Sequence, residues 1–441
     1  LMARSRRKSG GGGSPNKKLP LNQSIPLGIQ HVFAMFAGNI TVPLIVAGVF
    51  GVTTSEKIFL IQMALFAAGV ATIIQTVGFG KVGSRLPIIQ GTSFAFIPIM
   101  LPFKAFGLGA IFTAAFIGGI FQIWIGKMLK PIRHMFPPLV TGIVVLMIGV
   151  SLLKVGFKYA GGGVWLMNNK PEIFGNWEHL LISGTVLIVA LLCNQRGKGM
   201  VSAASILLGI IAGFIMATLL GEVRFEKIAA ASWFAFPMPF QYGIDFVWGA
   251  VILMLFMSIV TTIETIGDIS ATTMGGANRE ATDKELSGGI MADGVGTAFA
   301  SIFNAMPNTS YSQNAGLVAF TGVISRHVGT VAGVILILLG LFPKLGGIIA
   351  AMPDSVIGGA AIIMFGLIAG AGIKLIAKSE MSQRNILILA LSLSFGIGLY
   401  AFPQFVAHIP DFGIKLKLLL TTGLIPAGLI AFTLNATLPK K

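Results

Sequence analysis

Apolar runs of about twenty residues recur along the chain, separated by short breaks of polar, Gly and Pro residues. A helix rises about 1.5 Å per residue, so about 20 apolar residues cross the roughly 30 Å hydrocarbon core of a bilayer. The pattern predicts spans at about 25–50, 57–79, 86–103, 107–126, 133–156, 178–194 and 200–220. A second set follows at about 245–266, 284–305, 309–322, 327–349, 353–376, 384–402 and 416–436. The expected fold is an all-α polytopic membrane protein with fourteen transmembrane segments, seven in each half. The third and tenth segments read as poor helices, short and rich in polar, Gly or Pro residues. The connection 221–244, with Glu222, Arg224, Glu226 and Lys227, reads as an interfacial amphipathic element.

Composition agrees with this pattern. Of the 441 residues, 55% are hydrophobic and 10% charged, against about 25% charged in soluble domains. A soluble enzyme, a fibrous protein, a disulfide scaffold and a disordered chain are excluded. Cys193 is the single cysteine, so neither an internal disulfide nor a Cys cluster is available. The net charge of +16 matters through its placement and does not suggest a nucleic-acid partner. The basic tail, Lys81 and Arg85, Lys127, Lys130 and Arg133, and Lys374 and Lys378 fall on one side of the predicted topology. The positive-inside rule then places both termini in the cytoplasm, consistent with a bacterial inner membrane protein. Residues 1–24 are expected to be a disordered cytoplasmic tail or an expression remnant, and no cleavable signal peptide is evident.

Weak internal symmetry supports two halves. Gly91-Thr92-Ser93-Phe94 matches Asn308-Thr309-Ser310-Tyr311 at an offset of 217, and Pro137-x-x-Val140-x-Gly142 matches Pro353-x-x-Val356-x-Gly358 at 216. A repeat of seven spans is odd, so the halves would be inverted, as in many secondary transporters, and the broken segments mark the expected binding site.

Carboxylates inside a span cost about 2.5–3.5 kcal/mol on insertion scales and call for a role. Three are found: Glu264 and Asp268 in TTIETIGD, and Asp293 in MADGVGTAF. Glu264 and Asp268 are four apart and share a helix face. Carboxyls withdrawn from water beside one another are candidates for proton coupling, although Asp268, nearer the predicted span end, also fits a structural role. The tenth segment, PNTSYSQNAGLVAFTG, offers Gln313 and Asn314 amides, exposed backbone groups and a half-helix beginning at Ala315-Gly316. The third, QGTSFAFIP, offers Ser93, the Phe94 backbone and an aromatic ring, which plain packing also explains. His31 in the first span is a lone membrane histidine and, from its residue type, is more simply structural than a ligand. GFGKVG at 78–83 lacks the GK[ST] ending of a phosphate loop and reads as a turn. No metal motif is present, and no nucleotide motor, so no cofactor is expected beyond a proton gradient. A carboxylate, a carboxamide, backbone groups and a ring together suit a planar, uncharged heterocycle such as a nucleobase.

Gln313-Asn314-x-Gly316-x-x-x-x-Thr321-Gly322 resembles the signature of the nucleobase–ascorbate transporter family. Gln30-His31, GTSFAF at 91–96, FPPLVTG at 136–142, ETIGD at 264–268 and Asp293 extend the resemblance over about residues 25–436. The resemblance implies two inverted seven-span repeats whose broken third and tenth spans contain short β-strands. It implies a core from 25–130 and 245–350, holding substrate, and a gate from 131–244 and 351–441. It also implies a homodimer, an elevator-like motion and proton-coupled symport.

Carried over by position, Glu264 and Gln313 bind the base, with the Phe94 backbone and ring beside it and Ser93 and Asn314 at the site. Asp293 and His31 tie the first, eighth and ninth spans together and tune protonation, with Asp268 a further polar partner. Gln at 313, where uracil carriers tend to have Glu, points to purines. Ser93, where xanthine carriers have Asn, leaves room for urate. Xanthine and uric acid are the favoured substrates. A uracil permease, a sulfate-permease-type anion transporter and an intramembrane enzyme are the alternatives. The last needs a nucleophile or metal site that the sequence does not show.

Overall fold

The computed structural model describes residues 14–128, 137–223, 225–410 and 416–439. Arg4, Arg6, Arg7, Lys8, Lys130, Arg133 and Phe136, which figure in the topology and family readings, lie outside the described residues, as does Arg224. Helices of eight residues or more are labelled here. The first half runs α1 (Leu21–Phe50), α2 (Thr54–Val77), strand β1 (Gln90–Thr92), α3 (Gly107–Lys127), α4 (Pro138–Ala160), α5 (Trp177–Arg196) and α6 (Ser205–Leu219). The second runs α7 (Trp248–Ala277), α8 (Asp283–Ile302), strand β2 (Asn308–Ser310), α9 (Ser312–Thr321), α10 (Arg326–Gly340), α11 (Pro343–Ala350), α12 (Asp354–Ile376), α13 (Gln383–Ala401) and α14 (Leu424–Thr437).

Among the described residues, eight helices are long and apolar enough to cross a membrane, or nine if α10 and α11, bent by 77°, count as one. The chain is an integral membrane protein of mostly helical structure. Its helices form two bundles. In one, α3 packs on α8, α2 on α10, and α1 and α7 lie alongside; in the other, α4 packs on α12, α5 on α6, and α13 on α14.

Three local readings change. First, α7 continues to Ala277 instead of ending near 266. The TTIETIGDISATT stretch looks too polar for a span, but four of its five threonines and Ser270 return their hydroxyls to carbonyls one turn back, as Thr265 does to Thr261 at 3.0 Å and Ser270 to Ile266 at 2.7 Å. Asp268 therefore sits inside a helix, away from its end. Second, α9 begins at Ser312, ahead of Ala315-Gly316, because the strand ends at Ser310 and leaves Tyr311 as the cap. Third, the described residues of the connection 221–244 contain one short helix, Glu226–Ala230, and are otherwise turns and irregular chain. Pro237 and Pro239, which lack a backbone N–H, disfavour a longer helix there. GFGKVG at 78–83 is a turn closed by a Phe79–Val82 bridge, as its sequence suggested.

The α7–α8 turn is fixed locally. Asn278 ends α7 in the left-handed conformation (φ 50°), and Thr282 and Glu285 form a reciprocal capping box. Arg279 pairs with Glu285 at 2.5 Å. This turn sets the register of α8 and so the depth of Asp293.

Candidate substrate site

The two strands meet where the broken segments face each other. β1 and β2 pair antiparallel, Gln90 with Ser310 and Thr92 with Asn308. Three residues cannot satisfy a backbone in an apolar interior, so neighbouring helices complete the edges. Thr72 of α2 accepts from the Gln90 N–H at 2.9 Å, and Asn39 of α1 accepts from the Thr92 N–H at 2.8 Å. Thr297 of α8 accepts from the Asn308 N–H and donates to its carbonyl, both at 3.1 Å. Tyr311 donates to the Thr92 carbonyl at 2.7 Å. The result is a rigid polar platform inside an apolar bundle.

A cavity of about 550 Å³ opens on this platform, between the two bundles. That size suits a small organic ligand. Ser93 and Phe94 enter from one break, Ser312 and Gln313 from the other, and Glu264 and Asp268 from α7. The opposite wall, from α4 and α12, is mostly apolar, with Val145, Ile148, Met364 and Leu367. Phe94 stands edge-to-face against Phe365 of α12, with centroids 5.7 Å apart.

The polar side chains divide into two kinds. Asp268 is occupied, accepting from Ser310 and Ser312 at 2.6 Å each, which ties α7 to β2 and α9. Ser93 is buried and caps the following helical turn by accepting from the Ala95 N–H at 3.3 Å. Glu264 and Gln313, by contrast, are open to the cavity, and neither side chain has a hydrogen-bond partner among the described residues. Asp268→Ala should therefore lower the melting temperature by a few degrees, since two hydroxyls lose their acceptor at about 1–3 kcal/mol. Glu264→Ala should melt close to wild type. Identical melts for the two variants would contradict this division.

Three residues expected at the site lie behind it. Asn314 donates its amide to the His31 carbonyl, and its Nδ2 is also 2.9 Å from His31 Nδ1, so this pair joins α9 to α1. Asp293 is fully buried and accepts from Thr265, Gln90 and Gln75. It connects α8 to α7, α2 and β1. Asp293 and His31 were expected to tie the first, eighth and ninth spans together: Asp293 does join the ninth to the eighth through Thr265, whereas His31 ties the first span to Asn314 of the tenth segment instead. Asn39, Thr72 and Gln75 went unremarked in the sequence, although each is a polar group within an apolar run, and Gln90 and Tyr311 figured only as parts of the broken segments. Lys374 and Lys378, read there as topology signals, also border the cavity.

Residues 22–405 match the family profile described as "Permease family", the nucleobase–ascorbate transporter group. The chain belongs to this family. It is 35% identical to a xanthine permease of Escherichia coli (strain K12) over 95% of this chain and 93% of that one. It is 35% identical to a uric acid permease of Bacillus subtilis (strain 168) over 93% of this permease and 91% of that one. Among solved structures, it resembles the transmembrane domain of a cyanobacterial bicarbonate transporter (TM-score 0.58, 16% identity, 94% of this chain and 100% of that one). It also resembles the murine anion transporter Slc26a9 in an inward-facing state (TM-score 0.63, 11% identity, 92% and 68%). At such identities these likenesses describe the fold.

Proposed function

We propose that this permease is a proton-coupled symporter for purine nucleobases, xanthine and/or uric acid, working by elevator-like alternating access. The observation that carries the reading is the couple Glu264 and Gln313, without side-chain partners among the described residues and facing one cavity from two elements. A carboxylate accepts and a carboxamide both donates and accepts. Together they match the alternating N–H and C=O edge of an oxopurine, with Phe94 supplying an aromatic surface. Both side chains are exposed to the cavity, so a ligand seated there can complete their hydrogen bonds in place of water.

In this reading α1–α3 and α7–α11, with the strands, form the substrate-holding core. α4–α6 and α12–α14 form the gate, mostly apolar along the cavity so that the core can slide past it. The packing supports inverted repeats. Exchanging the halves turns the α3–α8 pair into α10–α2 and maps the α4–α12 pair onto itself. Thr72 bracing the first residue of β1 likewise corresponds to Thr297 bracing the first residue of β2. The proposed assembly is a homodimer in a bacterial inner membrane, with both termini cytoplasmic.

Asp293, Asp268 and Glu264 are the proposed proton-coupling groups. Asp293→Asn should weaken the pH dependence of uptake while leaving most of the folded yield, because Asn retains one carbonyl acceptor for the Thr265–Gln90–Gln75 cluster. An unchanged pH profile in a normally expressed variant would remove Asp293 from the mechanism.

Thermal-shift binding to the purified protein tests the substrate class, since a ligand selective for the folded state adds about 2.7 kcal/mol at a hundredfold excess over Kd. Xanthine or urate should raise the melting temperature. A shift with uracil instead would overturn the reading of Gln313, and a shift with sulfate alone would overturn the purine assignment.

A further inference from the structure

The cavity continues well past Glu264 and Gln313. Along α12 its wall includes Met364, Leu367, Ala371, Lys374 and, just beyond the helix end, Lys378. Met364, Leu367, Ala371 and Lys374 recur every three or four residues and so lie on one helix face, and Lys378 lines the same cavity from the turn that follows. From Met364 to Lys378 they climb on the order of 20 Å at about 1.5 Å per residue, which makes the two lysines the rim of the vestibule. Both are exposed, and neither makes an ion pair or side-chain hydrogen bond among the described residues. The charged groups along the cavity are thus two carboxylates at the inner end, Glu264 and Asp268, and two ammonium groups at the mouth. Between them α12 and α4 contribute a mostly apolar wall. A basic residue needed only for topology could sit anywhere on the helix end, whereas these two both line the cavity.

We infer that Lys374 and Lys378 form a cationic collar that gathers the anionic form of a purine at the mouth and favours ring-deprotonated bases over neutral ones of similar size. The inference rests on the purine reading above. Charges of one sign on the low-dielectric walls of a cleft focus the field and raise the local concentration of the opposite ion. Salt screens the effect, because the Debye length falls from about 10 Å at 0.1 M to about 3 Å at 1 M.

The test uses the whole chain in zwitterionic-lipid nanodiscs, which removes anionic headgroups as competitors for the lysines. Binding of urate, an anion at neutral pH, is measured at low and high salt. Wild-type affinity should weaken as salt rises. The double variant K374Q/K378Q should bind urate about fivefold more weakly at low salt and lose most of the salt dependence. K374R/K378R should restore both, and hypoxanthine, neutral at this pH, should be insensitive to either change. Both positions are exposed, so folding is not at stake. Wild-type urate affinity and salt slope in K374Q/K378Q would overturn the collar alone. Failure of the wild type to bind any purine would overturn the transport reading on which it rests.

Discussion

Glu264→Ala is expected to lose xanthine and urate binding by about a hundredfold to a thousandfold while the protein still folds. The folding half follows from the structure: Glu264 faces the cavity, and no side chain or backbone group depends on its carboxylate among the described residues. The binding half follows from what an oxopurine loses. Truncating one member of a buried, charge-assisted hydrogen bond typically costs about 2–5 kcal/mol, much of it from the partner left unpaired, and about 1.4 kcal/mol is tenfold in affinity. Glu264→Gln should fall between, since the amide retains an acceptor but not the charge. Calorimetric titration with xanthine, paired with a melt of each variant, separates the two effects. Wild-type affinity in a well-folded Glu264→Ala protein would remove this residue from the site.

Glu264 was legible in the sequence because a carboxylate in an apolar run is costly enough to demand an explanation, and the same logic found Asp268 and Asp293. Two other readings fell short for a shared reason: sequence spacing shows which residues lie on one helix face, but not what crosses from another element. Asp268 and Glu264 look alike four residues apart. They part only when Ser310 and Ser312 arrive from β2 and α9 to occupy one carboxylate and leave the other free. His31 and Asn314 are 283 residues apart, so their pairing leaves no local trace. The end of α7 was misplaced because hydropathy treats threonine as solvent-seeking, whereas a helical threonine can bond its own backbone and remain buried. The lysines of α12 carried a topological signal strong enough to hide their place at the cavity mouth. The helices themselves were largely readable, because length and apolarity dominate in a bilayer.

Gly358→Ala is expected to abolish folded yield or lower the melting temperature by at least about 5 °C, although it adds one methyl group. Gly358 lies on α12 against the end of α4. A Cβ there would stand 1.9 Å from the Ala160 nitrogen and 2.4 Å from the Tyr159 carbonyl carbon. These are backbone atoms, so no rotamer relieves the contact and the helices must separate by about 1 Å. Helices in a membrane associate through such close backbone contact, not through the hydrophobic effect. Along the same seam a Cβ at Gly149 would meet the Ala369 nitrogen at 2.4 Å, and one at Gly142 the Ile376 nitrogen at 2.7 Å, so the strain is not local. Overpacking a fitted interior costs about 1–3 kcal/mol and occasionally more, and an unyielding backbone belongs at the upper end. Separation would also carry Phe365 away from Phe94 and disturb the cavity wall. Gly366→Ala on the same helix is the matched control, since its Cβ would meet nothing within 4 Å. There the helix preference for Ala, up to about 1 kcal/mol, should leave stability unchanged or slightly raised. If both variants melted together, the close α4–α12 contact would not be a feature of the folded protein.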